Sequence, residues 1–105
     1  MKVIDCINMF NVLGRLRLST IGDKTVRDAL LDDHFALWRV SRDYDDYMES
    51  LRGSEGAEEA RKRYLWKEAG IELVKVGRDT VAGAASESGL TLADMTVLGH
   101  IFKED

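Results

Sequence analysis

Apolar positions recur at helical spacing through the first two thirds of the chain, and the repeat breaks after Gly70. In the opening segment Val3, Ile7 and Phe10 share one helical face, Leu13 continues it, and Ile4, Cys6 and Met9 widen it. So broad a stripe predicts a helix over about 3–16 that is packed on more than one side. Gly14 weakens its last turn by about 1 kcal/mol relative to alanine. Ser19 to Lys24, with Gly22 inside it, reads as a connection.

The second segment carries the clearest pattern. Val26, Leu30, Asp33, Leu37, Val40, Tyr44, Tyr47 and Leu51 alternate spacings of four and three, the repeat by which a helix keeps one seam against a partner. Only Asp33 departs from the apolar or aromatic type. Asp23 or Thr25 can cap the start, Thr25 with Asp28 has the form of a capping box, and Gly53 marks the end. A helix over about 25–51 would be roughly 40 Å long at 1.5 Å per residue. That length suits the spine of a hairpin, a coiled coil or an oligomer. Ser54 can cap a third helix over about 56–69, containing Ala57, Ala60, Tyr64 and Leu65, with Gly70 as its stop.

Beyond Gly70, Ile71, Leu73, Val74 and Val76 approximate a strand, and Thr80 to Ala82 a second one across Gly77-Arg78-Asp79. Ala82 to Gly89 is small and polar, the composition of a mobile linker. Thr91-x-x-Asp94 then has the form of a cap before Leu92, Met95, Leu98 and Ile101. The expected fold is thus mainly α, a single domain over 1–105. It comprises a three-helix antiparallel arrangement with one long central helix, an extended or β-hairpin segment over about 71–82, and a short C-terminal helix over about 92–102.

Phe35 and Trp38 lie beside the seam, with Leu31 one turn earlier. Two accounts fit: core contacts for the first and third helices, or an interface buried only on assembly, where aromatic residues are favoured. The candidate interface comprises Phe35, Trp38, Tyr44, Tyr47, Asp45 and Glu49, the last two one turn apart on an acidic face. The expected partners are further copies of the chain and another protein.

Composition narrows the chemistry. At 45% hydrophobic and 32% charged residues the chain is of the folding kind. Its net charge of -4 argues against nucleic acid, which needs a field of Lys and Arg. The small basic cluster Arg61, Lys62 and Arg63 is flanked by Glu58, Glu59 and Glu68, so ion pairs along a helix account for it. Asp32, Asp33 and His34 are consecutive and do not converge on a helix, and no Glu-x-x-His pair or calcium-loop pattern is present. Gly77-Arg78-Asp79-Thr80 lacks the Gly-Lys-Ser/Thr ending of a phosphate loop. Nothing places Cys6 beside His34 or His100, so no nucleophilic site is assembled, and Cys6 reads as a buried reduced thiol. No apolar run reaches the ~20 residues of a membrane span, and Asp5, Asn8, Arg15 and Arg17 break a signal-peptide reading. The expectation is a cytoplasmic protein that is not an enzyme, with no cofactor, metal, membrane or small-molecule substrate.

The opening Met1-Lys2-Val3-Ile4-Asp5-Cys6-Ile7-Asn8-Met9-Phe10-Asn11-Val12-Leu13 and the ending Gly89-Leu90-Thr91-Leu92-Ala93-Asp94-Met95-Thr96-Val97-Leu98-Gly99-His100-Ile101-Phe102 resemble small proteins encoded in bacteriophage structural and assembly gene clusters. Arg15, Arg17 and the stretch from Gly83 to Gly89 depart from that pattern. The resemblance implies a phage or prophage accessory protein, an adaptor or chaperone of tail assembly working in the bacterial host cytoplasm. It carries over no catalytic or binding residue.

Overall fold

A computed structural model describes residues 1–103 and contains five α-helices and no strand among them. Helix α1, Val3–Arg15, starts where the Lys2 N–H donates to the Asp5 carboxylate at 2.9 Å. It runs through Gly14, where a Cβ would lie 3.5 Å from His34 Nε2, an ordinary contact. Helix α2, Lys24–Ser50, is capped by Asp23, whose carboxylate accepts the Val26 N–H at 3.1 Å. Asp28 forms no capping box with Thr25 and pairs instead with Lys24, one turn before it.

The seam of α2 is covered by the chain's own helices. Val26, Leu30, Asp33, Leu37 and Val40 are buried in the core that α1 shares, while Tyr44 and Tyr47 are half-buried and stack on Tyr64 of α3. Helix α3, Ala57–Trp66, follows a tight turn in which Gly53 and Gly56 hold φ of +76° and +79°. Gly56 rather than Ser54 occupies the N-cap position. The helix stops earlier than the apolar pattern suggests because Lys67 turns extended to pair with the edge of α1: Val3 N–H donates to Lys67 O at 3.0 Å and Ala69 N–H to Met1 O at 3.1 Å.

The three-helix arrangement with a hairpin over 71–82 is not what forms. In place of a second strand the chain makes helix α4, Arg78–Ala84, because Val81 and Ala85, one helical turn apart, both bury fully in the core. The preceding stretch pairs at one residue only, a parallel bridge of Val76 to Phe102, with Val76 N–H on Ile101 O at 2.9 Å and Lys103 N–H on Val76 O at 2.8 Å. Two marginal strands would bury little of their own, whereas a short helix inserts a compact apolar face. The expected linker is also structured: Ser86–Ser88 forms a 3₁₀ turn, Ser88 is buried, and its carbonyl accepts the Arg17 N–H at 3.1 Å.

Helix α5, Leu92–Val97, begins with the reciprocal Thr91/Asp94 cap and continues as a 3₁₀ turn, Leu98–Ile101. Met95, Leu98 and Ile101 bury in the same core as α1, so the C-terminal segment docks on its own chain. Arg15 at the end of α1 pairs with Asp94, joining the two helices by charge as well as packing. The core therefore lies around α1, with α2, α4 and α5 arranged about it, while the far end of α2 and the start of α3 project as a hairpin and the end of α3, through Tyr64 and Leu65, packs back against the core. The molecule measures 48 × 27 × 21 Å with a radius of gyration of 15.1 Å, against about 13 Å for a compact chain of this length, and the projecting hairpin accounts for the difference.

Candidate interaction surface

Each residue of an α-helix turns about 100°, so the face of α2 centred on Phe35 lies opposite Tyr44 and away from the seam. That outer face is largely open to solvent. Leu31 is 42% exposed, Phe35 60% and Trp38 40%, unusual for large apolar side chains clustered on one helix. The core account of Phe35 and Trp38 is overturned: α1 and α3 contact the other side of α2 and leave this one uncovered.

The two rings stack on each other, with centroids 5.8 Å apart and planes 24° apart. Arg39 sets its guanidinium 5.5 Å from the Phe35 centroid, and Arg42 sets its own 5.4 Å from that of Trp38. Both pairs are one helical turn apart, the spacing that brings side chains together. A cation over a ring face is held by the ring quadrupole and, at an exposed site, contributes about 0.5–1 kcal/mol. The two arginines therefore order the aromatic strip without covering it. Asp43 and Asp46 complete a shallow depression beside them, so the surface combines an apolar centre with charges of both signs.

The six residues singled out from sequence do not form one patch. Phe35 and Trp38 lie together on the outer face. Tyr44 and Tyr47 belong to the hairpin, where Tyr47 stacks on Tyr64 at 4.7 Å and Tyr44 tilts against it at 5.9 Å. Asp45 is exposed, and Glu49 pairs with Arg52 at 3.2 Å. Arg39 and Arg42 went unnoticed in the sequence, although their spacing of four from Phe35 and Trp38 is a sufficient signal.

Cys6, His34 and His100, the groups with potential chemistry, each have different neighbours. Cys6 is buried, and burial first, then the Asp5 charge, pushes its thiol up to about 11, which suppresses the thiolate at neutral pH. His34 stacks on Phe10 at 4.9 Å, and burial lowers its pKa. His100 lies 3.7 Å from the Asp5 carboxylate at the surface. Among the described residues no three His, Cys, Asp or Glu side chains converge to hold a metal, and no helix is long and apolar enough to cross a membrane. The basic cluster of α3 is engaged with its own helix, Arg61 with Glu58 at 2.7 Å and Lys62 with Glu59 at 4.0 Å. No family model, curated protein or solved structure matches the chain.

Proposed function

We propose that this chain is a non-enzymatic protein-interaction component that docks through the outer face of α2. The observation that carries the reading is the ordered, uncovered strip of Leu31, Phe35 and Trp38 with Arg39 and Arg42 laid over the rings. Aromatic and arginine anchors at the centre of a patch, with polar groups round it, are what protein interfaces use. The resemblance of the two terminal segments to phage assembly proteins supports an adaptor or chaperone role in tail assembly, in the bacterial cytoplasm.

A photo-crosslinking amino acid at position 35, expressed in the host cell, tests the docking face, with the same probe at Arg63 on α3 as control. A discrete adduct at 35 and none at 63 is expected. Diffuse labelling at both positions, or none at either, sinks the proposal.

A second reading has its own support. Asp43, Asp45, Asp46 and Glu55 are exposed and make no ion pair among the described residues, so the hairpin end can act as a small acidic regulator that occupies a basic partner surface. Reversal of Asp45 and Glu55 to Lys, both outside the strip, would then abolish the adduct at 35 only if that acidic end, and not the aromatic strip, holds the partner.

A further inference from the structure

The outer face of α2 has a symmetry in its charges. Counting from Phe35, the positions that share its face lie three, four, seven and eleven residues away in either direction. Seven residues before it is Asp28 and seven after is Arg42; eleven before is Lys24 and eleven after is Asp46. Closer in, Asp32 and Leu31 precede it, and Trp38 and Arg39 follow. At seven and eleven residues from Phe35 each charge thus has an opposite charge at the matching place on the other side, while Asp32, three before, and Arg39, four after, are offset by one residue.

We propose that the occupant of this face is a second copy of the chain, its α2 laid antiparallel across a two-fold axis at Phe35. The inference rests on the docking face described above and names its partner. A two-fold axis through Phe35 places Asp28 beside Arg42 of the second copy and Lys24 beside its Asp46, and repeats both pairs by symmetry. The operation also preserves the flanks of the helix. On the helical repeat, Asp32 and Arg39 lie to one side of Phe35, and Leu31 and Trp38 to the other. Asp32 therefore meets Arg39 across the axis, while Leu31 meets Trp38 and the two Phe35 rings meet each other.

A parallel pairing gives the opposite result. It sets Arg39 on Arg39, Arg42 on Arg42 and Asp28 on Asp28, with like charges facing in each case. Within one chain Asp28 pairs with Lys24 and, at 3.8 Å, with Arg27, contacts that are exposed or partly exposed and of small value, so little is lost when those charges exchange partners. Residues 24 to 46 overlap fully in the antiparallel pair, a contact roughly 33 Å long at 1.5 Å per residue. One helix width over that length is less than the ~800 Å² per partner of a standard interface, so the dimer is concentration-dependent.

The test is the solution mass of the purified chain, followed by sedimentation equilibrium from about 1 μM to about 1 mM, the range such an interface spans. Asp28→Arg alone and Arg42→Asp alone should each weaken the dimer about tenfold or more, because each sets like charges face to face. The two changes in one chain should restore it to within about threefold, since the pairs are then reversed rather than broken. Helix content by circular dichroism shows whether each variant is folded. As an independent geometric readout, Phe35→Cys should cross-link to itself on mild oxidation, the natural Cys6 being buried. Arg42→Cys should not, because its copies would stand about 21 Å apart along the helices, beyond the ~7 Å Cα separation a disulfide tolerates.

A monomer throughout that range, a dimer indifferent to both single reversals, or ready self-linkage of Arg42→Cys overturns the antiparallel pair. A monomer that still gives a discrete adduct with a different protein at position 35 in cells removes self-pairing and leaves the docking face standing. No adduct of any kind removes both.

Discussion

Asp33 sits in the apolar seam of α2 at 1% exposure, with its Oδ1 accepting the Val74 N–H at 2.6 Å and its Oδ2 without a partner among the described residues. That hydrogen bond ties the stretch between α3 and α4 to the middle of α2. Burial outweighs the stabilising Val74 N–H and raises its pKa from 3.8 to about 6. Since the folded value lies above the unfolded one, the unfolded chain releases this proton first as pH rises. The group's contribution is therefore fully present below about pH 4 and lost by about pH 6, a change on the order of 2–3 kcal/mol. His34 beside it acts in the opposite sense: its lowered pKa adds stability above its usual value, lost as pH falls through the folded one. Comparison with Asp33→Asn, which keeps the acceptor for Val74, isolates the carboxyl from the histidine. By urea unfolding, the stability of Asp33→Asn relative to the wild type should rise by about 2–3 kcal/mol between pH 4 and pH 7. A difference independent of pH would show that Asp33 titrates in the folded chain as it does in the unfolded one, and that burial does not raise its pKa.

Helix α3 illustrates an element held by a few partial contacts. It contains no fully buried residue, and at ten residues it is below the length at which an isolated helix persists in water. Its hold on α2 is the ring cluster of Tyr44, Tyr47 and Tyr64, to which Lys67 adds its ammonium 4.0 Å from the Tyr64 centroid. At its C-terminal end the pairing of Lys67 and Ala69 with the start of α1 provides a second anchor. Tyr64→Ala should therefore loosen the hairpin without unfolding the core, at a cost of about 2 kcal/mol. Hydrogen exchange is the check: amides of α3 and of Tyr44–Ser50 should lose protection about tenfold or more, while those of α1 keep theirs. Equal loss in α1 would mean that the hairpin and the core unfold as one unit.

Across the whole molecule, α1 is the element that all the rest depends on. Its buried side chains meet those of α2 on one side and of the C-terminal segment on another, with the Arg15–Asp94 pair at the junction. Burial would raise the Asp94 pKa, but the Thr91 N–H and hydroxyl and the Arg15 guanidinium together outweigh it and leave the carboxyl below its ordinary value. The last helix is therefore part of the core although it comes from the other end of the chain. Leu98→Ala, at a fully buried site, should lower global stability by about 3 kcal/mol with a single transition in which helix and tertiary signals are lost together. Release of residues 78–103 with α1 and α2 still folded would contradict a shared core.

The features legible from the chain alone are local and periodic. The 3.6-residue repeat located α1 and α2 and identified the buried side of α2, whereas on α1 it centred the face on Ile7 and Phe10, which are half-buried, while Cys6, Met9 and Val12 are the buried ones. Asp23 and the Thr91/Asp94 pair could be read as helix starts because a cap needs only neighbouring residues. The remaining features depended on distant partners. Thr80 to Ala82 is as compatible with a strand as with a helix, and α4 forms because the core has room for Val81 and Ala85. α3 ends at Trp66 because Lys67 and Ala69 find the start of α1, many residues earlier in the chain. Periodicity singled out the seam of α2 as its covered side but left open whether the shorter strip of Leu31, Phe35 and Trp38 would be covered as well. Packing placed α1 and α3 on the seam and left Phe35 and Trp38 facing outward, since two helices can cover only part of the circumference of a third.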